Sequence, residues 1–161
     1  MLKSGNVCQE LLKLLKENGV HTAVDTCGFV AREALDKVIP YTDVFLYDMK
    51  VVDEAVHLKC TGRPNGVILD NLRYLDSRGC RIEGRIPYVP QYNTDQIGQM
   101  AEILAELKNL TKVRVLPYHN YAGSKYASLG MENTLPETIP SEEELENAKK
   151  LLAGYGIKIV N

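Results

Sequence analysis

The sequence predicts an α/β protein: a mainly parallel sheet of about five strands with helices on the outside. Three observations carry this. Apolar stripes at helical spacing alternate with short apolar runs along nearly the whole chain, most of the stripes close on Gly or Pro, and the alternation ends on a strand. Strand–helix–strand alternation of this kind implies right-handed crossovers and parallel pairing. The 161 residues suffice for one sizeable core, and residues 1–161 read as a single domain.

Each element has its own justification. Cys8 to Asn18 is amphipathic, with Cys8, Leu11, Leu12 and Leu15 on one face and Gly19 behind them. Val20 to Val24 reads as a short strand running into Asp25-Thr26-Cys27-Gly28. Ala31, Ala34, Leu35 and Val38 form a second helical stripe, stopped by Pro40. The run Val44-Phe45-Leu46-Tyr47 inside Asp43 to Met49 predicts a buried strand. Asp53 to Thr61 is a short helix followed by Gly62, and Asn65 reads as the N-cap of a helix through Ile68, Leu72 and Leu75. Arg81 to Ile86 is a strand closed by Pro87 and Pro90. Asn93 and Gln96 have capping-box spacing before a helix carrying Ile97, Met100, Ala101, Leu104 and Leu107. Lys112 to Leu116 is the next strand. Ser141 and Glu144 form a second capping box, for the last helix, and Ile157 to Val160 closes the chain as a strand. The longest irregular stretch, Asn120 to Pro140, predicts a functional loop.

Composition excludes several classes. Nineteen Lys and Arg against 21 Asp and Glu give a net charge of -2, which offers no electrostatic footprint for nucleic acid or an anionic membrane. No apolar run is long enough to span a bilayer, and the first residues carry no secretory h-region. The reading is a cytoplasmic protein. Cys8, Cys27, Cys60 and Cys80 lie 19, 33 and 20 positions apart, so no local zinc or iron–sulfur clamp is spelled, and without an export signal a disulfide framework is not expected. They read as reduced thiols.

The chemistry-bearing residues gather at the ends of the strands. Asp25-Thr26 ends the first, Asp48-Met49-Lys50 the second, the third carries Arg85, and His119 follows the fourth. In barrel-type parallel sheets the strand C-termini open on one ligand-binding face. Each residue alone also has a plain structural reading. Asp25 and Thr26 suit a turn before Gly28, Asp48 and Lys50 a solvated ion pair, Arg85 a surface position and His119 a loop. Their convergence at one end favours a site. His57 is expected to face solvent and His21 to be structural. Cys27 lies close enough to share the mouth, most simply as a small inert residue, since a reactive thiolate there needs a cation such as Lys50.

The segment His21 to Phe29, with Asp25-Thr26 and Gly28, resembles the "T-x-x-D-T-x-G" strand of the glycyl-radical-enzyme activating enzymes, the pyruvate formate-lyase activating enzyme and its relatives in the radical S-adenosylmethionine (SAM) superfamily. Asp48-Met49-Lys50 resembles the family's "D-[LMI]-K". His57, Thr61-Gly62, Asn65, Ile68-Leu69 and Asn71-Leu72 match "H-x3-T-G-x2-N-x2-I-L-x-N-L". Arg85 to Pro90 matches "R-[IV]-P-x-[IV]-P", and Leu116 to His119 with Lys125-Tyr126 matches "L-P-[YF]-H…K-Y". The match runs from about Cys8 to the C-terminus.

The resemblance implies a partial (β/α) TIM-like barrel of the radical SAM type, truncated on its N-terminal side. The family's C-x3-C-x2-C, which ligates a [4Fe–4S] cluster, and its Gly-Gly-Glu strand are not in this sequence, and Gln91 stands where the family has Gly after "V-P". A differently shaped loop is therefore expected at Gln91. In the family the cluster reduces SAM to a 5′-deoxyadenosyl radical, which takes hydrogen from a glycine of a partner glycyl radical enzyme. Electrons come from a donor such as flavodoxin or ferredoxin. By resemblance Asp25, Thr26 and Asp48 lie beside SAM and hold a monovalent cation, Lys50 and Arg85 make polar contacts to it, and His119 approaches its ribose and adenine. This chain alone, with no cluster ligands, is expected to be inactive and to self-associate as a homodimer along the first strand. Two other readings stand beside this one: a Schiff-base aldolase or lyase using Lys50 with Asp48 and His119, and a non-enzymatic binding module.

Overall fold

A computed structural model describes residues 5–122, 126, 128, 130 and 136–160. The helices are α1 (Gly5–Glu17), α2 (Arg32–Val38), α3 (Glu54–Thr61), α4 (Gly66–Ser77), α5 (Ile97–Ala105) and α6 (Glu142–Gly154). The strands are β1 (Ala23–Thr26), β2 (Val44–Asp48), β3 (Ile82–Tyr88), β4 (Leu110–Pro117) and β5 (Ile159–Val160). They form one sheet in the order β1-β2-β3-β4-β5 with every pair parallel, the α/β parallel sheet that the alternation predicts and the partial barrel that the resemblance implies. Three-residue 3₁₀ turns follow α2, precede α5 and follow β4.

Strand periodicity sorts the side chains. Val24, Phe45, Tyr47, Ile82, Ile86, Val113 and Val115 are buried in one core with Leu35, Leu72, Leu75, Met100, Leu104 and Leu152 of the helices. The alternate positions carry the charges: Asp25, Asp48, Glu83, Arg85, Lys112 and Arg114. Glu83 pairs with Lys112 at 3.1 Å and with Arg114 at 3.7 Å. Period-two alternation therefore gives the sheet one oily and one ionic face.

The first strand lies three residues later than its apolar pattern predicts. Gly19, at φ 72°, and Val20 belong to the turn leaving α1, where the Gly19 and Val20 N–H groups donate to the Lys16 and Leu15 carbonyls. That helix-ending motif takes the chain out of extended geometry until residue 23. Thr22 then anchors the strand. It is buried, its hydroxyl donates to the Tyr41 carbonyl at 2.6 Å, and its N–H donates to Asp43 Oδ2 at 2.7 Å. The Ser141–Glu144 capping box is present in full. The Asn93–Gln96 box is not: neither side chain caps the helix, for a reason given below. The closing strand is shorter than predicted, and the segment 120–140 falls partly outside the described residues.

Gly28 follows β1 at φ 74°, and a Cβ there would lie 1.6 Å from Tyr47 Oη. Tyr47 cannot move away, because it is 1% exposed and its hydroxyl donates to the Ile68 carbonyl at 2.6 Å. Gly28→Ala combines left-handed strain with overpacking, and the expected loss is about 3 kcal/mol, read by urea denaturation. Tyr47→Phe in the same background should recover only part of it, since the ring carbon remains in contact.

Asp43 has a titration signature. The Lys16 ammonium, then the Thr22 N–H, hold its carboxyl below the usual carboxylate range. A depressed native pKa stabilises the fold above the unfolded value and is lost as pH falls, so Asp43→Asn should flatten the acid-side decline of stability below about pH 4. An unchanged slope in pH-dependent melts would exclude this role.

Candidate functional site

The site is built from the C-terminal ends of the first three strands. Register places Asp48 directly beside Arg85, and Asp25 lies two strands from Arg85. Arg85 Nε donates to Asp48 Oδ1 at 2.9 Å, and its Nη2 lies 2.8 Å from the same oxygen and 2.5 Å from Asp25 Oδ1. Lys50 Nζ donates to the other Asp48 oxygen at 2.9 Å. The result is a chain of alternating charge, Asp25–Arg85–Asp48–Lys50, in which Asp48 and Arg85 are mostly buried while Asp25 and Lys50 are half-exposed. Burial works against the Arg85 charge, but the hydrogen bond to Asp25 and the charge of Asp48 outweigh it and hold the guanidinium pKa above its ordinary value.

Thr26 and His119 stand apart. The Thr26 hydroxyl accepts the Gly28 N–H at 2.9 Å, so it closes the turn after β1. His119 is exposed and stacks on Tyr121 with ring centroids 5.5 Å apart; among the described residues no hydrogen bond or ion pair joins it to the ionic chain. Lys125 lies outside the described residues.

Three buried amides, read from the sequence as helix caps, instead hold the loop that carries Lys50. Asn93 is 1% exposed; its Nδ2 donates to the Lys50 and Pro87 carbonyls, both at 2.6 Å, and its Oδ1 accepts the Val89 N–H at 2.8 Å. It thereby ties the end of β2 to the end of β3. Gln96 Oε1 accepts the Val52 and Asp53 N–H groups, each at 2.9 Å. Asn65 Nδ2 donates to the Val52 carbonyl at 2.5 Å. Ser, Asn and Gln at capping spacing satisfy orphan backbone groups wherever those lie, and spacing alone does not say which.

His57 is also corrected. It is 4% exposed, not solvent-facing, and Nδ1 lies 2.7 Å from the Arg63 carbonyl oxygen. A carbonyl only accepts, so Nδ1 carries the hydrogen and the ring is held by the α3–α4 turn. His21, by contrast, is exposed ahead of β1. With Cys27, Phe29, Asp48 to Val51, Ile68 and Leu69, His57 lines a cavity of ≈ 240 Å³ beside the ionic chain. Cys27 thus reaches the mouth, as its position after Asp25-Thr26 suggests. Gln91 adopts φ 69°. The loop keeps a left-handed residue at the position where a change of shape is expected from Gln, so the strain is accepted and not avoided.

The four cysteines are free thiols on α1, after β1, on α3 and before β3, and no three His, Cys, Asp or Glu side chains among the described residues gather to hold a metal. This set does not fit a [4Fe–4S] cluster, which needs convergent thiolates.

Fold and mouth together define a class: a partial parallel α/β barrel with a mixed-charge cluster at the C-terminal ends of its leading strands. No protein-family model matches the chain. It is 38% identical over 146 residues to the trans-4-hydroxy-L-proline dehydratase activating enzyme of Clostridioides difficile, covering 88% of this chain and 48% of that protein. The crystal structure of a domain of pyruvate-formate lyase-activating enzyme from Bacteroides vulgatus matches with TM-score 0.82 at 30% identity, covering 99% of this chain and 91% of that one. The fold also matches Streptococcus suis SuiB bound to S-adenosylmethionine, with TM-score 0.69 at 13% identity over 94% of this chain and 33% of that one. The chain belongs to the glycyl-radical-enzyme activating enzymes, the family of the pyruvate formate-lyase activating enzyme. It spans about half the length of the curated relatives it matches.

Two substitutions in the loop after β3 should act in opposite directions. Asn93→Leu leaves two carbonyls and an N–H unpaired in the interior and should cost at least about 3 kcal/mol. Gln91→Gly removes left-handed strain and should stabilise by about 0.5–1 kcal/mol after the greater chain entropy of Gly is counted. Chemical denaturation of both variants checks the pair of signs.

Proposed function

We propose that this chain is the SAM-holding part of a glycyl-radical-enzyme activase barrel. The observation that carries the reading is the Asp25–Arg85–Asp48–Lys50 chain across three parallel strand ends. SAM presents an anionic carboxylate, a cationic sulfonium, ribose hydroxyls and an adenine. A mouth of alternating sign suits that ligand better than one of a single sign. Lys50, half-exposed, is the cation available to the carboxylate, and Arg85 keeps the carboxylates of Asp25 and Asp48 in place. Asp25 bonds Arg85 through Oδ1, and among the described residues no hydrogen bond is made to its other carboxylate oxygen, the one that a monovalent cation would take beside Thr26 and Asp48. The exposed His119–Tyr121 stack offers a flat surface to the adenine or ribose.

When bound, SAM supplies the family's hydrogen-abstracting chemistry, directed at a glycine of a partner glycyl radical enzyme. Among the described residues no group of side chains could ligate the cluster, so in this reading the cluster and the electron it takes from a flavodoxin or ferredoxin donor come from outside them. We place the activity in the cytoplasm; no helix of the described residues is long and apolar enough to cross a membrane. Lys50 is half-exposed and ion-paired, whereas a Schiff-base lysine is activated by desolvation in an apolar pocket or by a neighbouring cation, so the aldolase reading has no observation in its favour.

Saturation-transfer NMR with millimolar SAM tests the assignment on this chain. Wild type should transfer saturation to the adenine and methionine protons with weak affinity, and Asp48→Ala and His119→Ala should each reduce the effect severalfold. Equal transfer in the double variant, or borohydride trapping of pyruvate on Lys50, would overturn it.

We also propose a two-fold dimer of this chain. Among the described residues β1 has a neighbour on one side only, and exposed Val7, Leu11 and Leu14 form a stripe along α1. An unprotected strand edge of this kind pairs with another. Light scattering at tens of micromolar should give twice the chain mass; a monomer whose Ala23 to Thr26 amides are protected from exchange would refute the dimer.

A further inference from the structure

Seven of the described residues have positive φ; six are glycines and the seventh is Gln91, at φ 69°. Its turn accounts for the angle. The Tyr92 N–H donates to the Val89 carbonyl at 3.2 Å, Pro90 takes the second position, and Gln91 takes the third, which a type II turn holds left-handed and which suits Gly. Gln therefore stands here against the preference of the backbone. A residue held in a sparsely populated conformation points to function when its surroundings fix it there. Asn93 supplies the fixing, through its bonds to the Val89 N–H and to the Pro87 and Lys50 carbonyls.

The Gln91 side chain is exposed, and among the described residues its amide makes no hydrogen bond. The two other amides that follow β3, Asn93 and Gln96, are buried and engaged by backbone groups. Gln91 also stands at the ligand end of the sheet. β3 and β4 run side by side as far as Tyr88 and Pro117, and the Tyr118 N–H donates to the Tyr88 carbonyl at 3.2 Å. The turn of Gln91 leaves one of these two joined strand ends, and the His119–Tyr121 stack leaves the other.

A carboxamide is uncharged and offers a donor and an acceptor side by side. The carboxylate and sulfonium of SAM take charged partners in preference to it. The adenine edge presents an amino donor next to a ring-nitrogen acceptor, which is the complement of an amide, and a bidentate pair of this kind discriminates strongly between bases. We propose that Gln91 is a specificity-determining residue: its amide hydrogen-bonds the 6-amino group and an adjacent ring nitrogen of the adenine that lies against the His119–Tyr121 stack. The proposal rests on the SAM reading and deepens it, giving the base an edge contact beside the stacking one.

The test sets nucleosides in competition with SAM and reads the competition from saturation transfer to the methionine protons of SAM. For wild type, adenosine should compete at least about fivefold more strongly than purine riboside, which lacks the 6-amino group. It should exceed one of 1-deazaadenosine and 7-deazaadenosine by a similar factor, since each lacks one ring nitrogen beside that group. In Gln91→Gly, whose fold is expected to be the more stable, adenosine should fall to the level of purine riboside. Gln91→Glu keeps an acceptor for the amino group and loses the donor to the ring nitrogen. It should still prefer adenosine to purine riboside and no longer distinguish the deaza nucleoside. A role in loop shape alone would weaken all four nucleosides alike. Equal competition by all four in wild type, an equal loss for all four in Gln91→Gly, or a preference that survives Gln91→Gly overturns the Gln91 assignment while the SAM reading stands. Absence of SAM binding to wild type overturns both.

Discussion

Arg85 is the group on which the site depends. It stands on β3, between the carboxylate that β2 carries and the one that β1 carries, and bonds both. Two carboxylates at neighbouring strand ends repel each other, and only a cation with a planar fork of donors can serve two at once. Partial burial of that guanidinium costs hydration, which the two carboxylates offset, and the raised pKa of Arg85 expresses the balance. A single side chain therefore spans the three leading strand ends and leaves Lys50 as the outermost cation.

The same end of the sheet is held a second time through the backbone. Asn93, Gln96 and Asn65 bond the peptide groups of residues 50 to 53, which run over the surface between β2 and α3. Without those amides the loop would carry unsatisfied peptide groups against the core. The side-chain tie through Asp48 and the main-chain tie through Asn93 meet at Lys50. A residue that must present a charge at a fixed place is in this way constrained from both ends, although its own stem is flexible. The left-handed Gln91 lies in the loop after β3 that carries Asn93, and its strain is tolerated because the bonds of Asn93 over-determine the path.

Gly28 performs the corresponding task beneath β1. Its missing Cβ admits the Tyr47 ring, the Tyr47 hydroxyl reaches α4, and Asn71 returns from α4 to the Gly28 carbonyl. This closed circuit holds the β1 loop, and with it one wall of the apolar cavity. Family membership and the site lead to the same functional reading, but for different reasons. Similarity to activating enzymes covers most of this chain and about half of those proteins, whereas the mouth is assigned from its own charges and distances.

Strand–helix alternation, the parallel sheet, the burial of Phe45 and Tyr47, the Ser141 capping box and the gathering of Asp25, Asp48, Lys50 and Arg85 at one end were all legible in the sequence. These follow from short-range rules: side-chain period, turn chemistry, and the fact that parallel strands share one polarity. The start of β1 was not, because the turn that ends α1 lies in an apolar stretch that reads as strand. Nor were the roles of Asn65, Asn93, Gln96 and His57. An amide at capping spacing has the same local pattern whether it serves its own helix or a loop more than a dozen residues away, and a histidine among polar neighbours reads the same whether it faces water or the turn six residues on. Which peptide groups need a partner is decided only when the tertiary packing shuts them off from water. The sequence by itself determined which side chains could meet at the mouth; the tertiary structure decided which of them bond, because hydrogen bonds across strands depend on register and burial, and neither is a local property.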